Sequence, residues 1–352
     1  MLWWFQTPST APGAVRWFLD SSLLVVERLF LFAQFSFFLA LARVSLRVRR
    51  ALGMRAPPPP PPPCPAAAEG IFSVVIPAYN EGACIGACLE ELLRAAAAPR
   101  SIEVVVADGG CSDDTMAIVR RFAAAHTASG GGEGAGDGGG ILIHAVRTTA
   151  LRASDGGGRG PTVNAGLRAA TGDVLMVLHA DTKLPKGFDA RARLALRDPT
   201  VTLAAFGFGT QRAPLRGGAG TAPPAGLALL DWSVNMRCRL FGFPFGDQAL
   251  TTTRGTLSAL GFAGGHYPAD PILEEYQLVA RVIARAGRVA MLGGPPALCS
   301  PRRWESMSVW YVCAVNQAIM LWFRCGATTA QVFEFYYGVP APKKREEKSS
   351  EG

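Results

Sequence analysis

Three apolar runs in this chain end in residues that could hold a nucleotide and a cation. FSVVIPAYN leads into Pro77, Ala78, Tyr79, Asn80 and Glu81. IEVVVADGG ends in Asp108, Gly109 and Gly110, and DVLMVLHAD ends in His179, Ala180 and Asp181. One acidic strand end is ordinary turn or cap chemistry. Three on one sheet edge offer carboxylates to the ring donors and ribose hydroxyls of a nucleotide. A diphosphate carries negative charge that needs a divalent cation, and hard cations take oxygen ligands. Asp181 is placed to hold such a cation on the diphosphate.

A hydroxyl that attacks an electrophilic carbon must lose its proton, and a positioned carboxylate can take it. Glu274 and Glu275 are the candidates. Pro271 before them suits the first turn of a helix. On a helical wheel Ile272, Tyr276, Val279, Val282, Ile283 and Ala286 share an apolar face. Glu275 falls within it, while Glu274 falls with Arg281 and Arg285 on the solvated face. A carboxylate on a buried face is costly without a function or partner. Glu275 is therefore the expected base and Glu274 its support.

The elements that must position these groups alternate. After the first strand, Ile85, Leu89, Leu92 and Leu93 have helical spacing. IEVVVADGG is a second strand followed by a helix over 114–125. ILIHAV is a third, then a helix over 162–170, and DVLMVLHAD is a fourth. Apolar strands without alternation, separated by helices, predict an α/β fold: a mostly parallel central sheet with helices on both faces. Ligands in such folds bind outside the carboxyl ends of the strands. The glycine tracts from Ser129 and over 217–226 read as surface insertions; neither carries the Lys-Ser/Thr of a phosphate loop.

Residues 1–50 form an N-terminal segment, apolar from Trp17 to Val44 and followed by Arg47, Arg49, Arg50 and Arg55. It reads as a signal anchor holding the C-terminal side of the chain in the cytoplasm, with a targeting peptide or an interfacial helix as alternatives. Residues 51–69 contain the proline run 57–63, a stiff polyproline II linker. The catalytic domain is expected over 70–338 and a charged, disordered tail over 339–352. The uncharged stretch Ser306–Phe323 carries Asn316 and Gln317 at its centre and reads as an interfacial or core helix. The net charge of +8 suits a membrane surface or phosphorylated substrates, and no nucleic-acid motif accompanies it. The eight cysteines contain no CxxC pair and read as buried or free thiols.

Taken together, VVIPAYNE, VVADGGCSDDT, NAGLRAATGDVLMVLHADT, GDQAL, ILEE and PRRWE resemble glycosyltransferase family 2 over residues 71–337. The chain is most similar to the family 2 subgroup associated with radical-SAM and selenium-linked genes. The resemblance implies a GT-A (nucleotide-diphospho-sugar transferase) fold, a nucleotide-sugar donor, an acceptor it does not identify, and Mg²⁺ or Mn²⁺. Carried onto this chain, it puts Pro77, Tyr79, Asn80, Glu81 and Asp108 at the nucleotide, with Asn164 and Asp173 bordering the donor pocket. Asp181 becomes the metal-binding member of a DxD-like element whose first acidic position is His179. Asp247 and Gln248 fall near the acceptor or diphosphate. Of Arg302, Arg303 and Trp304, an arginine assists the leaving diphosphate and the aromatic stacks on acceptor sugar. Glu275 stands where the family commonly has Asp.

The implied reaction is an inverting single displacement. Two alternatives belong to other classes. A sugar nucleotidyltransferase has a glycine-rich loop with Arg and Lys after its first strand, where this chain has PAYNEGACIG. A non-catalytic membrane scaffold with a degenerate transferase domain is kept open by His179 and Glu275.

Overall fold

The computed structural model describes residues 70–127, 142–147, 158–212, 224–262 and 266–341. The N-terminal apolar segment, the proline linker, both glycine tracts (the second as far as 223) and the tail from 342 lie outside the described residues.

The described chain runs β1 (Phe72–Ala78), α1 (Ile85–Ala95), β2 (Ile102–Asp108), α2 (Thr115–Thr127), β3 (Leu142–Arg147), α3 (Arg159–Ala169) and β4 (Val174–Val177). It continues through β5 (Thr182–Lys183), α4 (Phe188–Leu196), β6 (Val201–Thr210), α5 (Leu227–Phe241), β7 (Thr251–Thr253) and α6 (Arg254–Ala259). Last come α7 (Glu274–Ala284), β8 (Arg288–Cys299), α8 (Arg302–Ser306), α9 (Val309–Arg324) and α10 (Thr329–Tyr337).

The strands form an eight-stranded sheet in the order β3-β2-β1-β4-β7-β6-β8-β5. β1 pairs in parallel with β2 and β4, β2 with β3, and β6 with β8. The pairings β4–β7, β6–β7 and β5–β8 are antiparallel. The α/β reading is met, with a parallel half that holds the three polar strand ends and a mixed half beyond it.

The parallel strands are buried on both faces, so alternate residues feed two cores. Phe72, Val74 and Ile76 pack with Ile85, Leu89 and Leu92 of α1. Val75 and Val105 point the other way, onto Val163 and Leu167 of α3 and Leu278 and Val282 of α7. A third, smaller core joins α5 to α9 through Leu227, Val234, Cys238 and Val309. The helix expected over 162–170 starts three residues earlier, at Arg159. The uncharged stretch forms α9, one face of which is buried at Val309, Val312, Ile319 and Met320. No helix of the described residues is long and apolar enough to cross a membrane. The seven described cysteines are free.

α3 lies unusually near the sheet. A Cβ added at Gly166 would sit 2.4 Å from Val75 Cγ1 and 3.3 Å from Ala107 Cβ. Helix propensity alone favours alanine over glycine by about 1 kcal/mol. Overpacking costs roughly 1–3 kcal/mol, so packing should win. Gly166→Ala should lower the melting temperature; a thermal unfolding curve at or above wild type would contradict this close packing.

Candidate active site

The carboxyl ends of β1, β2 and β4 open into one cleft of about 550 Å³. Pro77, Tyr79 and Glu81 line it from β1, Gly109 from β2, and His179 and Asp181 from the loop after β4. Arg159 and Thr162 add the start of α3, and Phe333 and Tyr337 of α10 complete the lining. Three of the five residues assigned to the nucleotide therefore lie on the wall, and Tyr79 is 57% exposed there.

Asn80 and Asp108 support that wall. Asn80 adopts a left-handed φ of 55°, and its Oδ1 accepts from Ser112 N at 2.8 Å. Asp108 Oδ1 accepts from Gly110 N at 2.9 Å and Cys111 N at 2.8 Å, closing the turn after β2. These bonds tie the two strand-end loops together and present Gly109 to the cleft.

Two expectations for the donor pocket do not hold. Asn164 is buried within α3; its Nδ2 donates to Tyr267 O at 2.9 Å and its Oδ1 accepts from Tyr267 N at 2.7 Å. An amide that satisfies both its polar ends on one backbone unit is a clip. Asp173 is exposed just before β4, at the end of the strand away from the cleft.

Asp181 shares one cation with Glu81. Arg302 Nη2 lies 2.8 Å from Glu81 Oε2 and 3.2 Å from Asp181 Oδ2. The resemblance to a diphosphate-assisting arginine thus falls on a residue that touches both wall carboxylates. Its neighbours act elsewhere. Arg303 lies over the Tyr336 ring, 4.9 Å from its centroid. Trp304 meets Phe208 edge-on at 6.2 Å, and its Nε1 is buried without a partner among the described residues. Packing on the third core takes it from the acceptor role assigned to it. Gln248 is also structural: its Nε2 donates to Phe206 O at 2.8 Å, and its Oε1 accepts from Phe245 N at 3.1 Å.

A second charged group runs inward from the wall. Arg159, which the sequence motifs did not single out, joins Glu274, Glu275 and His179. Its Nε faces Glu274 Oε1 at 3.0 Å, without hydrogen-bond alignment, and its Nη2 contacts both Glu275 Oε1 and His179 Nε2. His179 Nε2 is 3.5 Å from Glu275 Oε1. Asp247 is half-buried, and its Oδ1 has no partner among the described residues. Burial raises its pKa, against the pull of His179 and Arg237.

Two details of the base helix are corrected. Glu274 is not on a solvated face: it is 2% exposed, and Glu275 8%. α7 begins at Glu274, after Leu273 in the left-handed region, so Pro271 precedes the helix. Side chains of a first turn meet whatever folds over the helix start, and here that is Arg159. Ala286 lies beyond the helix, at a φ of 55°.

Glycine makes this meeting close. A Cβ at Gly158 would lie 2.5 Å from Pro271 Cα, and one at Gly160 2.3 Å from Asp270 O. Arg159 N and Gly160 N donate to Pro271 O and Asp270 O at 3.0 and 3.2 Å. On the other side, a Cβ at Gly246 would fall 1.8 Å from Glu275 Oε2. The signal in the sequence was a single arginine between two glycines at a helix start.

Two adjacent buried carboxylates share one guanidinium, so their titrations part. Burial opposes ionisation of Glu275, but Arg159 and the contact with His179 overcome it and hold its pKa below the ordinary value. Burial, with the charge of Glu275 added, pushes Glu274 up to about 7 from 4.5, against the pull of Arg159. Between those two values folded Glu274 keeps a proton that the unfolded chain has lost. Stability should therefore fall as pH rises through that window, by up to about 3 kcal/mol. Glu274→Gln removes the titration. Its unfolding free energy relative to wild type should rise from pH 5 to pH 8; a flat difference would refute the assignment.

Residues 73–212, about two-fifths of the chain, match the family model for Glycosyl transferase family 2. The matched span runs from β1 through β6 and includes the strand ends of the cleft. A 52-residue stretch is 44% identical to validoxylamine A glucosyltransferase of Streptomyces hygroscopicus subsp. limoneus. That stretch is 15% of this chain, and the chain spans about an eighth (12%) of that relative's length. Among solved structures, the mannosyltransferase PcManGT of Pyrobaculum calidifontis, in complex with GDP-Man and Mn²⁺, is 21% identical with a TM-score of 0.47. The alignment covers 87% of this chain and 74% of that one. S. aureus TarS 1–349 is 18% identical with a TM-score of 0.44, covering 65% of this chain and 60% of its own. The stretch that carries the strand ends of the cleft thus matches the model for family 2 of the glycosyl transferases, in agreement with the α/β, GT-A-type fold that the motifs imply.

Proposed function

We propose that this protein is an inverting glycosyltransferase that moves a sugar from a nucleotide-diphosphate donor to an acceptor hydroxyl. One observation carries the reading: the cleft at the carboxyl ends of β1, β2 and β4 is backed by a buried glutamate that a cation keeps ionised. The family match over the same strands supports it. Pro77, Tyr79, Glu81 and Gly109 line the end of the cleft where the nucleotide would bind. Arg302, beside Glu81 and Asp181, is within reach of a diphosphate, which its fork can hold bidentately. Glu275 receives the proton lost by the acceptor as its oxygen attacks the anomeric carbon and the diphosphate leaves. No covalent sugar intermediate is required.

The residues present fit a divalent cation. Two carboxylate oxygens, from Glu81 and Asp181, converge on one positive group. That pair is a hard-oxygen set suited to Mg²⁺ or Mn²⁺, with donor phosphates and water completing the shell. Among the described residues no cluster of three or more His, Cys, Asp or Glu side chains forms a fuller cage. When bound, such an ion neutralises charge on the leaving diphosphate.

The reading includes the subgroup associated with radical-SAM and selenium-linked genes, which the motifs of the chain resemble. It also includes association with a membrane, the catalytic domain facing the cytoplasm. The apolar segment before Arg47 supports this, as do the exposed Tyr311, Leu321, Trp322 and Phe335 of α9 and α10.

Binding of a ligand to the folded state alone raises the melting temperature by mass action. With Mn²⁺, one member of a UDP-, GDP- or dTDP-sugar panel should raise it, and Asp181→Asn should weaken that shift. Wild type should also release nucleoside diphosphate from that donor, and Glu275→Gln should lose 100-fold or more in turnover, within the roughly 10²–10⁴ of general-base catalysis. A wild type that neither binds nor cleaves any donor would favour the scaffold.

A further inference from the structure

Arg302 already holds the two oxygens that a divalent cation would need. Its Nη2 donates to Glu81 Oε2 at 2.8 Å and to Asp181 Oδ2 at 3.2 Å. Both carboxylates line the cleft wall. An arginine stays charged, so proton loss cannot remove this competitor. A second positive charge on the same oxygens is repelled by it. The frame around the pair is fixed. Glu81 Oε2 also accepts from Cys84 Sγ at 3.0 Å. Asp181 O accepts from Ser300 N at 3.2 Å and from Gln211 Nε2 at 3.1 Å. Thr182 pairs with Cys299 in the β5–β8 ladder, two and three residues before Arg302 and Glu305 open and extend α8. Any exchange of partners therefore falls to the Arg302 side chain. That side chain is 39% exposed, and its Nε and Nη1 are neither buried nor hydrogen-bonded among the described residues.

We propose that Arg302 is a positioning residue that keeps Glu81 and Asp181 from a divalent cation until a nucleoside diphosphate arrives, so that cation and diphosphate bind as a coupled pair. The proposal rests on the glycosyltransferase reading above. A cation that comes by itself must break both ion pairs and leaves the guanidinium without an anion. A diphosphate changes that balance, because it offers the same guanidinium a second anion that its fork can hold bidentately. In turning to it, Arg302 releases Glu81 and Asp181 and removes the charge that opposed the cation. The coupling is reciprocal: whatever factor the diphosphate adds to cation affinity, the cation adds to diphosphate affinity. Arg302 thus serves both the cation and the leaving group, first by withholding the carboxylates and then by exchanging them for phosphate.

The test is calorimetric titration of the full chain with Mn²⁺ alone, with UDP, GDP or dTDP alone, and with Mn²⁺ at saturating nucleotide. Arg302→Gln and Arg302→Met, matched to wild type by thermal unfolding, should bind Mn²⁺ alone on the order of tenfold tighter, because the opposing charge is gone. Adding Asp181→Asn to either should abolish that gain. Arg302→Lys keeps the charge without the fork, so its affinity for Mn²⁺ alone should stay near that of wild type. The nucleotide should tighten Mn²⁺ about tenfold more in wild type than in the two neutral variants. The proposal is overturned if both neutral variants bind Mn²⁺ alone no better than wild type, the result expected of an arginine that only holds the carboxylates in place. It is equally overturned if the nucleotide tightens Mn²⁺ by the same factor in wild type and variants. A wild type that binds none of the three nucleotides, with or without Mn²⁺, would instead sink the glycosyltransferase reading, and the coupling with it.

Discussion

The site depends on how closely the loop over 268–271 approaches the start of α3. Gly158 and Gly160 leave room for Pro271 and the Asp270 carbonyl where any Cβ would clash. Two backbone hydrogen bonds and the Asn164–Tyr267 clip then fix the loop. This contact delivers the first turn of α7 to Arg159. Without it, Glu274 and Glu275 would be solvated charges opening a helix, and burying them would have no compensation.

Once joined, the charges determine one another. A single guanidinium between two buried carboxylates holds one ionised and leaves the other near neutrality. Gly246 lets the backbone before Gln248 close on Glu275 from the far side. Arg302 repeats the motif at the cleft mouth, bridging Glu81 and Asp181. Each cluster thus pairs acidic groups with an arginine.

The sheet explains why the clusters share a cleft. Parallel pairing of β1 with β2 and β4 sends the loops after these strands out at one edge. α10 then lays Phe333 and Tyr337 against the opening. The lining therefore combines aromatic rings with charged side chains, a composition suited to a ligand with both kinds of surface.

Much of this was legible in the residues. Uninterrupted Val and Ile runs ending in polar residues determined the parallel strands, because both faces of such a sheet are buried. The order of those runs also determined that Pro77, Tyr79, Glu81 and Asp181 would share an edge, since ligand-facing loops leave the carboxyl ends. Glu275 was marked as a buried carboxylate by its place on an apolar helical face. Only the tertiary structure decided the rest. Periodicity reports which face of a helix is apolar, but it cannot report what folds over the helix start, so Glu274 was misplaced. Spacing cannot distinguish an amide at a ligand from one clipped to backbone, so Asn164 and Gln248 became packing residues. Asp173 immediately precedes a cleft-forming strand in sequence yet lies at that strand's other end. The partnership of Arg159 with residues more than a hundred positions away exists only because glycine, having no Cβ, lets two loops touch.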